Sequence, residues 1–241
     1  MYLYGKNSVY ERLKANPKSI KKIFLQDDFS FAEAEKLIKE NNIPAKRVSQ
    51  KELRRIKRAD SLQGVVAQVE EFKYTDFDEL LNNAEEKNFS FIFLDRIFDP
   101  QNLGAIIRTT ACLGGFGVVL PKHKACQVTE TVLRVSCGGE NYTPVSLVSN
   151  LTNALLKAKK CGFWAVGSAV EEGKDIGEIE LPFPLCFILG SEGSGVRYGL
   201  GKHIDIKVNI PMKGAALSFN VAAAAAIFCY AISQARAKGN K

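Results

Sequence analysis

Three stretches of this 241-residue chain carry residue types that chemistry can use. The first, residues 95–108 (DRIFDPQNLGAIIR), places Asn102 six residues before Arg108. That is under two helical turns, so both side chains can point toward one end of a sheet without being neighbours on one helix face. Arginine suits bidentate phosphate binding. The bland alternatives are a helix N-cap for Asn102 and a surface charge for Arg108. Arg108 lies among Ala105, Ile106, Ile107 and Ala111, where a solvated position is less comfortable. The second stretch, residues 187–196 (FILGSEGSGV), is a glycine-rich turn after an apolar run, with one acid, Glu192. Glycines let backbone approach a ligand closely. The pattern matches neither the dinucleotide fingerprint nor the nucleoside-triphosphate loop, so a dehydrogenase or an ATPase is poorly supported. The third stretch is residues 208–230 (VNIPMKGAALSFNVAAAAAIFCY). It reads as a strand end, then a tight loop in which Pro211 fixes φ and Gly214 is free to take positive φ. A helix follows, opened by Ser218 or Asn220. A Ser-x-Asn pair at a helix start is a cap by default, and it gains a chemical reading only beside the other two stretches.

The elements that must position these residues follow from periodicity. Residues 1–72 read as a small α/β unit. It has a helix over 8–15 stopped near Pro17, a strand over 22–25 and a helix over 30–41 with Ser30 and Glu33 at capping-box spacing. A strand over 43–48, a basic helix over 49–57 opened by Ser49 with Glu52, and a strand over 64–69 complete it. Residues 74–88 read as connector plus helix, which divides the chain into 1–73, a linker over 74–88, and 89–241. From Phe89 the texture changes. FSFIFL over 89–94 is a continuous apolar run, as in a strand covered on both faces. Helices over 103–113, 128–136, 151–160 (capped by Asn150) and 221–237 alternate with strands over 117–120, 145–148, 163–168, 185–190 and 204–210. The expected class is α/β, with a mainly parallel sheet and helices on both faces. Such sheets bind ligands in loops beyond the carboxyl ends of their strands, where all three stretches place a loop.

Composition narrows the partners. With 46% apolar and 24% charged residues, the chain is globular in type and long enough for one or two cores. No apolar run reaches membrane-spanning length and the amino terminus lacks a signal pattern, so a cytoplasmic protein with no membrane partner is expected. Six cysteines without a C-x-x-C pair read as buried free thiols, and with only His123 and His203 for imidazole ligands no metal site is expected. The net charge of +7 is uneven: residues 1–73 carry sixteen basic and ten acidic side chains. Within them, residues 46–58 (KRVSQKELRRIKR) hold seven basic residues against one acid. A surface of this kind favours a phosphate-rich partner, although a solvated helix face explains it equally well.

Taken together, the three stretches resemble the SpoU-type (SPOUT-class, TrmH-like) RNA ribose 2′-O-methyltransferases. The shared motifs are Asn102-Leu103-Gly104 with Arg108, Leu-Gly-x-Glu-Gly-x-Gly over 189–195, and Ile-Pro-Met-x-Gly over 210–214 leading to Ser218-x-Asn220-Val221. The resemblance covers residues 89–236. It extends into 1–72, where YGKNSVYERL and QGVVAQV are similar to the small ribosomal-protein-like RNA-binding domain of the bacterial 23S rRNA guanosine methyltransferases. The segment VSCGGE before Pro144 is also similar to that subgroup.

The resemblance implies a trefoil-knotted carboxyl-terminal domain, one of the rare exceptions to the no-knot rule. It also implies S-adenosylmethionine as methyl donor, RNA, most closely 23S rRNA, as substrate, and a homodimer with the site near the subunit interface. The thin methyl face of Ala222 to Ala226 is compatible with close packing there. Arg108 would activate the ribose 2′-OH or, since a guanidinium is a poor base at neutral pH, position the phosphate and hydroxyl by charge. Glu192, Ser218 and Asn220 would shape the site, and Asn102 would bond near Arg108 or to RNA. Backbone around Gly190, Ile210 and Phe219 would contact the donor. Phe219 stands where the family usually has Leu, and Ala222 where it usually has Ser. A tRNA substrate, or an RNA-binding assembly protein with a vestigial site, are the alternative readings.

Overall fold

The computed structural model describes residues 1–84, 89–169, 173–191, 193–214 and 217–239. The amino-terminal unit contains strands β1 (Tyr2–Tyr4), β2 (Ile20–Gln26), β3 (Ala45–Val48) and β4 (Val65–Val69), and helices α1 (Lys6–Ala15), α2 (Ala32–Glu40) and α3 (Gln50–Ile56). The strand order is β1-β4-β2-β3, with β4 antiparallel to both neighbours and β2 parallel to β3. β1 is absent from the sequence reading because three residues are too few to show a period; pairing with β4 defines it. Ser49 and Glu52 form the expected capping box. The expected Ser30–Glu33 box does not form. α2 begins after Phe31, whose ring packs 4.9 Å from Tyr10 of α1, and Glu35 accepts from the Phe31 N–H instead. Tertiary packing has moved the helix start past the local cap signal.

After α4 (Phe77–Asn82), capped by Asp76, the carboxyl-terminal unit begins. Its strands are β5 (Ser90–Asp95), β6 (Phe116–Pro121), β7 (Val145–Val148), β8 (Trp164–Ser168), β9 (Lys174–Asp175), β10 (Leu185–Gly190) and β11 (Ile206–Asn209). They form one sheet in the order β7-β6-β5-β10-β8-β11-β9, with each pair parallel. β5, β6 and β10 are buried at every residue, as their unbroken apolar runs require. Helices α5 (Pro100–Leu113), α6 (Glu130–Val135) and α9 (Val221–Gly239) lie with one core cluster; α7 (Leu151–Lys160) and α8 (Tyr198–Gly201) lie with the other. Among the described residues no helix is long and apolar enough to cross a membrane.

β10 sits between β5 and β8, although both precede it in the chain. The connection after β5 leads to β6 on one side, and the connection after β10 leads to β11 on the other. The two loops therefore part above the β5–β10 boundary, the switch point at which open parallel sheets accept ligands.

The two units share a core, since Leu3, Val9 and Leu13 belong to the same apolar cluster as Leu103, Ile107 and Val132. Polar contacts reinforce it. The Tyr2 N–H donates to Glu130 Oε1 at 2.5 Å, Lys57 pairs with Glu130, and Arg12 of α1 pairs with Glu140 at 2.9 Å. The expectation of buried thiols holds for Cys186 and Cys229 alone. Cys126 and Cys137 are half-buried, and Cys112 and Cys161 are exposed because they lie in the last turn or at the end of surface helices.

Candidate active site

α5 starts at Pro100, earlier than the expected 103, and its cap is Asp99, whose carboxylate accepts from the Gln101 N–H at 2.8 Å. Pro100 occupies the first helical position, where a missing N–H costs nothing. Asn102 therefore lies inside the first turn and is released from capping. Its Oδ1 accepts from Asn220 Nδ2 at 3.0 Å. Asn220 Oδ1 accepts in turn from the Ala222 N–H at 2.9 Å and so caps α9. This fixes the orientation of both amides, because an Asn220 oxygen used as a cap leaves its nitrogen to donate. The amino termini of α5 and α9 are thus tied together across 118 residues of chain. Asn102 was expected to bond near Arg108 or to RNA; in the structure it bonds to Asn220.

Arg108 lies further along α5 and is exposed, a correction to the expectation from its apolar neighbours. Ile106 and Ile107 turn into the core, whereas position 108 faces outward. Its Nη1 approaches Cys137 Sγ at 3.4 Å, and it has no ion pair among the described residues. Cys137 and Gly138 both have positive φ, 52° and 91°. That reversal brings Gly139 so close to α5 that a Cβ there would lie 3.1 Å from the Arg108 Cα.

Above β10 lies a cavity of about 550 Å³. Gly190, Ile210, Ser218 and Phe219 line it, together with Val196 and Phe228. This size suits a small organic ligand, and the mix of apolar side chains with strand-end backbone suits one carrying both apolar and polar parts. Gly190 has no room for a side chain, because a Cβ would collide with the backbone of Gly195 and Val196. The loop between them closes on itself. The Gly195 N–H donates to the Ser191 carbonyl at 2.8 Å, and the Ser191 and Ser194 hydroxyls lie 2.9 Å apart. Glu192 lies outside the described residues. At the mouth, Phe219 and Met212 are each 44% exposed. Gly214 is free of close neighbours and does not adopt positive φ.

The structure therefore brings Gly190, Ile210, Ser218 and Phe219 to one cavity and joins Asn102 to Asn220 beside it. Arg108 lines neither. Sequence reasoning missed Asp95, Arg96 and Arg197. Asp95 is completely buried at the end of β5; its carboxylate accepts from the Arg197 N–H at 2.9 Å and pairs with Arg197 Nε at 2.9 Å. The one signal for it was a carboxylate ending an otherwise apolar strand. Burial pushes the Cys229 thiol up to about 12 and Cys186 well above its usual value, so neither supplies a thiolate. Among the described residues no group of three or more His, Cys, Asp or Glu side chains could hold a metal ion.

Comparison with known proteins bears on this geometry. Residues 89–230 match the model of the SpoU rRNA methylase family, and residues 2–75 match the model described as RNA 2′-O ribose methyltransferase substrate binding. YacO of Bacillus subtilis, named for the TrmH family of tRNA/rRNA methyltransferases, is 35% identical over 98% of this chain and 96% of its own. The 23S rRNA (guanosine-2′-O-)-methyltransferase RlmB of Pseudomonas putida is 33% identical over 98% of this chain and 97% of its own. Among solved structures, the SpoU methyltransferase AviRb of Streptomyces viridochromogenes, in complex with the cofactor AdoMet, superposes with a TM-score of 0.82. It is 22% identical, covering 99% of this chain and 91% of that one.

Proposed function

Because the chain belongs to the SpoU rRNA methylase family, we propose that it transfers a methyl group from S-adenosylmethionine to the ribose 2′-OH of a guanosine in 23S rRNA. The observation that carries this reading is the cavity of about 550 Å³ at the carboxyl end of β10, lined by the very residues matched to the family's donor contacts. The activity named for RlmB of Pseudomonas putida supports the choice of substrate.

When bound, the donor supplies a methyl already activated on a sulfonium, so the chain's own task is alignment and exclusion of water. Backbone at Gly190, Ile210 and Phe219 holds the donor. The apolar walls from Val196 and Phe228 keep water from it. Ser218 completes the shape, and the Asn102–Asn220 bond keeps the two helix starts in register. The positive dipole ends of the two helix starts favour an RNA phosphate beside them. Arg108 orients that phosphate and the attacking hydroxyl. With the donor bound, its methyl would pass to the 2′-oxygen as the sulfur–carbon bond breaks, and the hydroxyl proton would leave to solvent or to the phosphate that Arg108 orients.

Arg108 is exposed and does not line the cavity of its own chain. That supports a homodimer in which it completes a site at the subunit interface. The packing of α9 against α5, and the place of β10 between two earlier strands, support the trefoil knot. The domain division is 1–73, 74–88 and 89–241. The first unit presents Lys46, Lys51, Arg54, Arg55 and Arg58 at the surface, a phosphate-binding face suited to delivering RNA. The reaction is placed in the cytoplasm.

Labelled S-adenosylmethionine, offered with rRNA, tRNA and ribosomal particles from a strain lacking this protein, tests the reading. Label is expected in 2′-O-methylguanosine of large-subunit rRNA. Label in tRNA alone keeps the chemistry and overturns the substrate, as the name of the Bacillus relative allows. No label in any of the three, with the protein folded, overturns the enzyme. A second expectation concerns Gly190→Ala. Its methyl group must displace the backbone of Gly195, so donor affinity falls about tenfold or more by calorimetry while the far-ultraviolet spectrum stays unchanged.

A further inference from the structure

The residue after the buried Asp95 has an unusual backbone. Arg96 adopts φ of 61°, the left-handed region that residues other than glycine seldom enter. Such conformations persist where surrounding structure holds them, and they gather at ligand clamps and active sites. In Arg96 the reversal turns the side chain off the end of β5 and across the end of β10. There its Nη2 donates to the carbonyl oxygen of Gly195 at 3.1 Å, 99 residues away in sequence. Its Nε is buried without a hydrogen bond, 3.7 Å from the Asp95 carboxylate. Two unfavourable features, a left-handed arginine and a buried donor without an acceptor, thus accompany one specific contact.

That contact is at the closing point of the glycine loop. Gly195 bonds back to Ser191, packs directly on Gly190, and lines the cavity with both. Arg197, two residues on, is pinned through its backbone N–H and its guanidinium to the same Asp95. One buried carboxylate therefore anchors both arginines, and Arg96 extends the anchor to the loop carbonyl. We infer that Arg96 is a positioning residue: from the end of β5 it holds Gly195, which bonds back to Ser191, as a wall of the donor cavity, so that donor binding meets a preformed surface. This rests on the reading of the cavity as the S-adenosylmethionine site. It assigns Arg96 no contact with donor or RNA.

Arg96→Gly separates the role from folding, because glycine accepts the left-handed backbone and the variant should be as stable as the parent in thermal unfolding. The expected results are S-adenosylmethionine affinity weaker by about tenfold in calorimetry, an unchanged KM for RNA, and kcat at saturating donor within about twofold of the parent. Hydrogen exchange at the Gly195 amide should be faster. An affinity within about twofold of the parent, with unaltered Gly195 exchange, overturns the inference. If the parent itself binds no donor, the cavity reading fails, and the exchange rate at Gly195 alone decides whether Arg96 holds the loop.

Discussion

Arg108→Ala is expected to lower the rate of methyl transfer about 10²–10³-fold, the range seen when a single preorganised donor is removed from a developing charge. It is expected to leave the protein folded. The side chain is exposed, its contact to Cys137 at 3.4 Å is weak, and alanine is at least as good a helix former. A surface change of this kind shifts stability by about 0.5 kcal/mol or less. Single-turnover transfer to rRNA measures the first quantity and thermal unfolding the second. Arg108→Lys sharpens the reading. It keeps the charge but loses the planar fork, so it should recover little of the rate if the arginine grips phosphate and hydroxyl together. Full activity in the alanine variant would remove Arg108 from the mechanism and leave alignment by the cavity as the source of catalysis.

Glu140→Ala is expected to be the most destabilising of the changes considered, by about 3–5 kcal/mol, because it strands a buried charge. The Glu140 side chain is 0% exposed and that of its partner Arg12 7%. Glu140 also accepts from the Ser136 hydroxyl at 2.6 Å and from Asn141 Nδ2 at 3.3 Å, while Arg12 Nη1 donates to Ser19 at 3.3 Å. The pair joins helix α1 of the first unit to the turn that packs on α5 beside Arg108. Total stabilities are about 5–15 kcal/mol, so a loss of this size should be plain in the urea midpoint. A buried pair replaced whole by apolar residues is often neutral, so Arg12→Met with Glu140→Leu should recover most of the loss. A cost below about 1 kcal/mol for Glu140→Ala would mean that the shared apolar core, and not the ion pair, sets the docking of the two units.

Much of the fold was legible because it depends on near neighbours. The apolar runs that became β5 and β10, and the caps at Ser49 and Asn150, are set by residues within about one turn or one strand of each other. Where a distant contact competed, the local reading failed. Phe31 packing on Tyr10 overrode Ser30; at α5 the miss was local, since Pro100 at the first helical position makes Asp99 the cap in place of Asn102. Arg108 was read as uncomfortable in solvent because its sequence neighbours are apolar. On a helix those neighbours face other ways.

The sequence by itself determined the α/β alternation, the basic amino-terminal surface, and three motifs specific enough to carry the family. The tertiary structure alone decided how the motifs meet. It placed β10 between two earlier strands, bonded Asn102 to Asn220 across 118 residues, and set Asp95 under both Arg96 and Arg197. It also left Arg108 outside the cavity that holds Gly190, Ile210, Ser218 and Phe219. The physical reason is the range of the forces involved. Periodicity and capping are satisfied within a few residues, and each such segment is compatible with many sheet orders. The order chosen is the one that buries every apolar strand and gives the single carboxylate ending β5 its arginine partners, a condition that only the whole chain can meet.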